Sequence, residues 1–101
     1  MTSTKNKADA VRELFGNAKV VECVENTYIP TQAGLRLEFT KVGKSVAEGI
    51  QLNGKHQGEP FYMSLPVRVR DVVGVSDTEA TYLLDQKLER LKGHSVTYRI
   101  A

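Results

Sequence analysis

The order of apolar and polar side chains along the first forty residues predicts one helix followed by two strands. Apolar residues at positions 8, 11, 14 and 15 recur at helical spacing, with Asn6 placed to cap the helix and Gly16 placed to end it. From residue 19 onward the apolar period changes to two, which is typical of strands. A turn over residues 30–34 separates these two strands, and the second alternates apolar and polar side chains through residue 40.

Two further strands are predicted in the middle of the chain. Residues 46–52 favour a strand that Gly49 weakens, and the following Asn53–Gly54 pair is the strongest hairpin signal, because both central positions of a type I′ turn need a positive φ. Pro60 confines the next strand to an edge of the sheet or delays its start. In that strand Phe61, Met63 and Leu65 alternate with polar neighbours, so Tyr62 is expected to point outward.

The last third of the chain predicts a second helix and a closing strand. Ser76 and Glu79 fit a capping box, and an apolar stripe continues to a glycine at position 93, so we expect a helix from Asp77 to Lys92. Residues 96–100 alternate and favour a strand. Residues 66–73 fit a helix or a strand equally well, because Pro66 suits a first helical turn while four valines suit a strand.

These elements predict an α+β fold. The expected architecture is a single domain with an antiparallel sheet of four to five strands, an N-terminal helix, and a helix near the C-terminus before the closing strand. A length of 101 residues fits one domain. We expect a loose basic N-terminal arm over residues 1–6 and the domain itself over residues 7–101.

The amino-acid composition argues against some classes of partner and indicates a cellular compartment. The apolar fraction of 41% argues against disorder, and a net charge of +2 is too small to indicate nucleic acid or an anionic membrane as the partner. No run of about 18 apolar residues and no signal-peptide pattern occurs in the sequence, so no membrane partner is expected. The single cysteine, Cys23, favours a reducing compartment, and we expect the cytoplasm.

Catalytic and metal-binding chemistry finds little support in the sequence. The segment from Gly49 to His56 differs at one position from a phosphate-binding P-loop, since His56 stands where the motif has the hydroxyl residue that binds magnesium. Cys23 would need a histidine such as His94 to act as a nucleophile, and a small buried apolar role suits it better. The two histidines and the cysteine show no metal-ligand spacing. We therefore expect no enzyme, no catalytic residue, no cofactor and no metal.

The arginines suggest a binding surface. Arg36 and Arg99 alternate with apolar neighbours, so both should project from the solvent face of the sheet, with the outward Tyr62 beside them. Arginine and tyrosine are enriched at the centres of protein interfaces. We expect a small interaction or inhibitor protein that contacts a protein partner, or a second copy of itself, through Arg36, Tyr62 and Arg99. A solvated face with ion pairs to nearby carboxylates is the simpler alternative.

A second interpretation rests on a resemblance. The run from Met63 to Val75 contains a Leu-Pro pair, then Val-Arg-Asp, then Gly-Val. It resembles the swapped-hairpin DNA-binding proteins of the AbrB and MazE-antitoxin type, and residues 40–46 look like the opening strand of that family. The resemblance covers about 20 of the 101 residues. It implies a dimeric DNA-binding regulator whose candidate DNA-contact residues are Lys41, Lys44, Arg68 and Arg70.

Overall fold

The computed structural model describes residues 6–101, which form a seven-stranded antiparallel sheet with one α-helix packed on one face. The helix is α1 (Lys7–Ala18). The strands are β1 (Val20–Asn26), β2 (Arg36–Val42), β3 (Val46–Gln51), β4 (Pro60–Ser64), β5 (Val72–Val75), β6 (Glu79–Leu83) and β7 (Ser95–Ile100). Three short 3-10 helices occupy Pro30–Gln32, Val69–Asp71 and Glu89–Leu91.

The N-terminal helix is confirmed. The side chain of Asn6 accepts a hydrogen bond from the backbone N–H of Asp9 at 2.8 Å, which satisfies one of the free amides of the first turn. Its four apolar positions at helical spacing are all buried. The helix ends at Lys19, whose φ of 63° turns the chain directly into β1. The arm predicted over residues 1–6 lies outside the described residues, apart from the capping residue Asn6.

The strand order is β4-β3-β2-β1-β7-β6-β5, and every pairing is antiparallel. The chain runs outward from the central β1 to one edge at β4. It then crosses by way of residues 65–71 to the other edge at β5 and returns inward to β7. This crossing makes β4 and β5 the two edge strands.

The core lies between α1 and the concave face of the sheet. Phe15 is fully buried, and its ring lies 5.2 Å from that of Phe39, 5.9 Å from that of Tyr98 and 6.3 Å from that of Tyr82. The hydroxyl of Tyr82 donates to the backbone carbonyl of Ser64 at 3.0 Å. Since Ser64 is on β4 and Tyr82 on β6, the sheet must curl around the helix until its two halves meet.

The predicted helix over residues 77–92 is wrong. Ser76 does accept hydrogen bonds from the backbone of Glu79 (3.1 Å) and Thr78 (3.3 Å), as a capping residue would, but its own N–H donates to the carbonyl of Glu79 at 2.8 Å. This closes a tight turn, and the chain returns as β6, in which Ala80 and Tyr82 are buried. The period is therefore two, and the sheet has seven strands instead of the predicted four to five.

The connection after β3 also differs from the prediction. β3 and β4 follow each other along the chain and pair in the sheet, as predicted for a hairpin. Eight residues connect them, however, and not a two-residue turn. Asn53 does not adopt the positive φ that a type I′ turn requires. Its side chain accepts from the N–H of Arg36 at 2.9 Å and donates to the carbonyl of Gly34 at 3.1 Å. Asn53 thus ties this loop to the β1–β2 connection.

The ambiguous residues 66–73 contain both kinds of structure. Pro66 is buried, a single 3-10 turn follows over Val69–Asp71, and β5 then begins at Val72. The resemblance to swapped-hairpin proteins places Gly74 in a turn, whereas here it lies within β5 and pairs with Thr81 of the same chain. No helix among the described residues is long and apolar enough to cross a bilayer.

Candidate functional site

A concavity lies where the two halves of the sheet meet. It has a volume of about 800 Å³ and is lined by residues 45–46, 64–68, 70–71 and 83–87. One wall is formed by the ends of β3 and β4, and the other by the end of β6 and the loop that follows it. We call this concavity the cleft.

Three cationic side chains line the cleft. Arg68 and Arg70 flank Val69 at the 3-10 turn, and Lys87 comes from the loop after β6. None of the three forms an ion pair with another described residue. Two carboxylates, Asp71 and Asp85, also line the cleft, so its charge balance is three cations to two anions. The cations are therefore available to a ligand.

The remaining surface of the cleft is largely apolar. Leu65 is buried, Leu83 and Leu84 are partly buried, and Val46 and Val67 are exposed at 45% and 52%. An apolar floor with a few charged groups is the usual composition of a binding pocket.

Arg12 of α1 holds one wall of the cleft in place. Its guanidinium donates to the carbonyl of Pro66 at 3.2 Å and to the carbonyl of Lys44 at 3.4 Å, and it also pairs with Asp9. These contacts connect the helix to the crossing segment and to the β2–β3 turn. The wall that carries Arg68 and Arg70 is therefore attached to α1.

Gln86 holds the opposite wall. Its side-chain amide donates to the carbonyls of Leu84 (2.6 Å) and Leu91 (3.1 Å), and its side-chain oxygen accepts from the N–H of Gly93 at 3.0 Å. One side chain thus closes the whole loop between β6 and β7. The adjacent Lys87 is positioned by this closure, and its N–H donates to Asp85 Oδ1 at 3.0 Å.

The structure places two of the three residues predicted to bind a protein partner side by side. Arg36 on β2 and Arg99 on β7 both face Glu22 on the central β1, and each has a guanidinium nitrogen 3.6 Å from an oxygen of that carboxylate. Both arginines remain more than half exposed. One carboxylate therefore lies between the two arginines.

Tyr62 points outward, as predicted, but it does not join the arginine pair. It is 66% exposed and lies on the edge strand β4, level with Glu48 and Lys41. Lys41 is five residues along β2 from Arg36, which corresponds to roughly 17 Å at about 3.4 Å per residue. The outer face therefore carries two separate features.

The residues of the DNA-binding alternative are also divided. Arg68 and Arg70 line the cleft, and Lys44 lies next to Ser45, which lines it too. Lys41 belongs to β2, where it pairs with Glu48 away from the cleft.

No catalytic pair is assembled around the cysteine. Cys23 is fully buried, and the pKa of its thiol is raised to about 11, mainly by burial and in smaller part by the nearby charge of Glu22. His94 directs Nδ1 to the hydroxyl of Thr27 at 3.0 Å. Among residues 6–101, no group of three or more His, Cys, Asp or Glu side chains could hold a metal ion.

Sequence reasoning missed Lys87 and the two leucines of the cleft wall, Leu83 and Leu84. The predicted helix over residues 77–92 placed both leucines in one apolar stripe and gave Lys87 no role. The polar run Asp85–Lys87 interrupts that stripe, and this interruption was the available signal for a loop.

Comparison with known proteins gives no assignment, since no protein-family model, curated protein or solved structure matches the chain.

Proposed function

We propose that the protein is a non-enzymatic binding module that holds an acidic segment of a partner protein in the cleft. The observation that supports this proposal is the placement of Arg68, Arg70 and Lys87 around an apolar floor without ion-pair partners among the described residues. Charged groups of this kind attract opposite charges on a ligand.

The size and chemistry of the cleft favour a peptide segment. A volume of about 800 Å³ is within the range of roughly 300 to 1,000 Å³ that is usual for ligand sites. Arginines next to exposed apolar side chains, such as Val67, are a common composition at the centre of a protein interface. We infer a ligand that presents carboxylates to the arginines and one or two apolar side chains to the floor.

DNA binding is the second candidate, because Arg68 and Arg70 line the cleft and Lys44 precedes Ser45, which also lines it. The carboxylates of Asp71 and Asp85 in its walls argue more strongly against DNA than against an acidic peptide, since DNA carries a charge on every nucleotide, whereas a peptide can place its few carboxylates at the arginines. A location in the cytoplasm also belongs to the proposal, and the single buried thiol of Cys23 supports it.

A peptide library identifies the ligand class directly. The purified protein is used to select from a displayed random peptide library, and the selected peptides are measured by fluorescence anisotropy against the protein and two double variants. We expect peptides that combine acidic and apolar residues. Arg68→Glu with Arg70→Glu should weaken their binding by about tenfold or more, because each arginine then repels a carboxylate.

The matched control is Arg36→Gln with Arg99→Gln, which changes two arginines on the outer face and leaves the cleft intact. Equal loss in both double variants, or selected peptides that lack acidic residues, would contradict the proposal. Labelled duplex DNA is titrated in parallel at several salt concentrations. DNA binding that weakens by about one log unit per log unit of salt for each phosphate contact would favour the second candidate.

A further inference from the structure

The edge strand β4 has a row of backbone groups that do not bond to β3. The ladder with β3 is fixed at both ends, since Leu65 N–H donates to the carbonyl of Ser45 at 2.8 Å and Gln51 N–H donates to that of Glu59 at 3.0 Å. Antiparallel ladders alternate, so Phe61 and Met63 direct their N–H and C=O groups toward β3. Residues 60, 62 and 64 direct theirs away from the sheet.

The free edge of β4 is open to solvent. Pro60, Tyr62 and Ser64 are all exposed, and the amides of Tyr62 and Ser64 have no acceptor among the described residues. An edge with unpaired amides and carbonyls is a template for another strand. Its centre carries the most exposed large apolar side chain of residues 6–101, that of Tyr62.

We propose that β4 pairs antiparallel with β4 of a second copy of this chain, about a two-fold axis at Tyr62. In this register Tyr62 faces the Tyr62 of the second copy and exchanges two hydrogen bonds with it. Ser64 faces Pro60 of the second copy and donates its N–H to the carbonyl of that proline.

The register leaves no polar group without a partner, and this property favours a second copy as the occupant. Pro60 has no N–H, so it offers nothing to the carbonyl of the opposing Ser64. That carbonyl already accepts the hydroxyl of Tyr82 at 3.0 Å. A shift of two residues toward Pro60 would instead place Pro60 opposite Tyr62, whose carbonyl would then lack a donor.

The pairing joins the two sheets into one, with both copies of α1 on the same side, because side chains of antiparallel neighbours share a face. A five-residue edge is a small interface, so we expect a weak dimer with a population that grows over roughly 10 µM to 1 mM protein. This inference rests on the edge of β4 and not on the proposed function, although Ser64 at the end of that edge also lines the cleft.

Sedimentation velocity over this concentration range tests the inference on the unmodified protein and two variants. Tyr62→Lys places two like charges opposite each other and should raise the dissociation constant by at least about tenfold. Val73→Lys is the matched control, because Val73 is 61% exposed on the other edge strand, β5. It should leave the dimer unchanged. A mixture of Tyr62→Lys and Tyr62→Glu should restore association, since residue 62 faces its own counterpart.

Amide hydrogen exchange on the unmodified protein keeps the test independent of any variant's stability. The amides of Tyr62 and Ser64 should become protected as concentration rises. Those of Phe61 and Met63, bonded to β3, should be equally protected at every concentration. A monomer at about 1 mM, a dimer lost in Val73→Lys and kept in Tyr62→Lys, or unchanging exchange at Tyr62 would each overturn the inference.

Discussion

Tyr82 on β6 donates its hydroxyl hydrogen to the backbone carbonyl of Ser64 on β4, although five strand positions separate β6 from β4 in the sheet. The tyrosine is 1% exposed, so the donor end of this bond is buried, whereas the acceptor belongs to Ser64, which is exposed. It joins the edge of one half of the sheet to the other half, and the cleft lies beside it. One hydroxyl therefore contributes both to the closure of the fold and to the shape of the cleft.

Tyr82→Phe should lower the free energy of unfolding by about 1 to 2 kcal/mol, since it removes a hydrogen bond whose donor is buried and keeps the ring. The measurement is urea unfolding followed by circular dichroism. Tyr98→Phe is the control, because Tyr98 is equally buried and its hydroxyl bonds to no described side chain or backbone group. It should change stability by less than about 0.5 kcal/mol. Equal effects would show that the bond to Ser64 contributes nothing.

Local periodicity predicted the first helix and most of the strands, but not how the chain closes. Positions 8, 11, 14 and 15 repeat at a spacing that only a helix satisfies, and all four are buried. The segment from Ser76 onward was predicted to be a helix, because a capping serine and leucines at positions 83, 84 and 88 suit one, whereas Thr81 and Tyr82 suit the strand that forms. Pairing with β7 decided it, and that contact is remote in sequence.

Gly49 has a role that its strand position alone did not show. A Cβ added at Gly49 would lie 2.7 Å from the backbone carbonyl oxygen of Glu38, on the neighbouring strand. Gly49→Ala should therefore cost more than about 1 kcal/mol, because two backbones must separate. The cost is measured by thermal unfolding.

Gly16→Ala provides the matched comparison. Gly16 lies inside α1, and nothing is within 4 Å of an added Cβ. The substitution should raise stability by about 0.5 to 1 kcal/mol, since alanine favours the helix. If Gly49→Ala and Gly16→Ala destabilised the protein to the same extent, the close approach of two backbones at Gly49 would be contradicted.

The candidate site was predicted only in part. Arg68 and Arg70 were predicted as DNA-contact residues on the basis of a resemblance to a protein family. Lys87 fell within the predicted helix over residues 77–92, which does not form. The outward direction of Arg36 and Arg99 followed from alternation. Their common partner, Glu22, could not be predicted, because it depends on the register of β1 against two strands that are far apart in the sequence.

Glu22→Gln tests the outer face. The side chains of both arginines are more than half exposed, so loss of the two ion pairs should lower the free energy of unfolding by less than about 1 kcal/mol. The difference in stability between the variant and the unmodified protein should become smaller at high salt. Denaturation at low and high ionic strength measures this. The variant also frees Arg36 and Arg99, so a partner bound through the outer face would change its affinity. Binding in the cleft should stay the same.

Alkaline pH should destabilise the fold, beginning with Cys23. Burial raises the pKa of this thiol from 9.0 to about 11. Below pH 9 the thiol is protonated in both the folded and the unfolded chain, so its contribution is complete. Between pH 9 and 11 only the unfolded chain ionises, and stability falls by up to about 1.4 kcal/mol per pH unit. Burial also raises the pKa values of Tyr82 and Tyr98, which extends the loss above pH 10.

Cys23→Ala separates the thiol from every other group that titrates in this range. At pH 7.5 the variant should be less stable than the unmodified protein, because alanine leaves a small gap in the core. Urea unfolding is then measured at pH 7.5, 9 and 10. The difference in free energy of unfolding between the two proteins should become smaller as pH rises, since only the unmodified protein loses the contribution of the thiol. A constant difference between the two proteins would mean that Cys23 ionises as easily in the folded chain as in the unfolded one, contrary to its burial between α1 and the sheet.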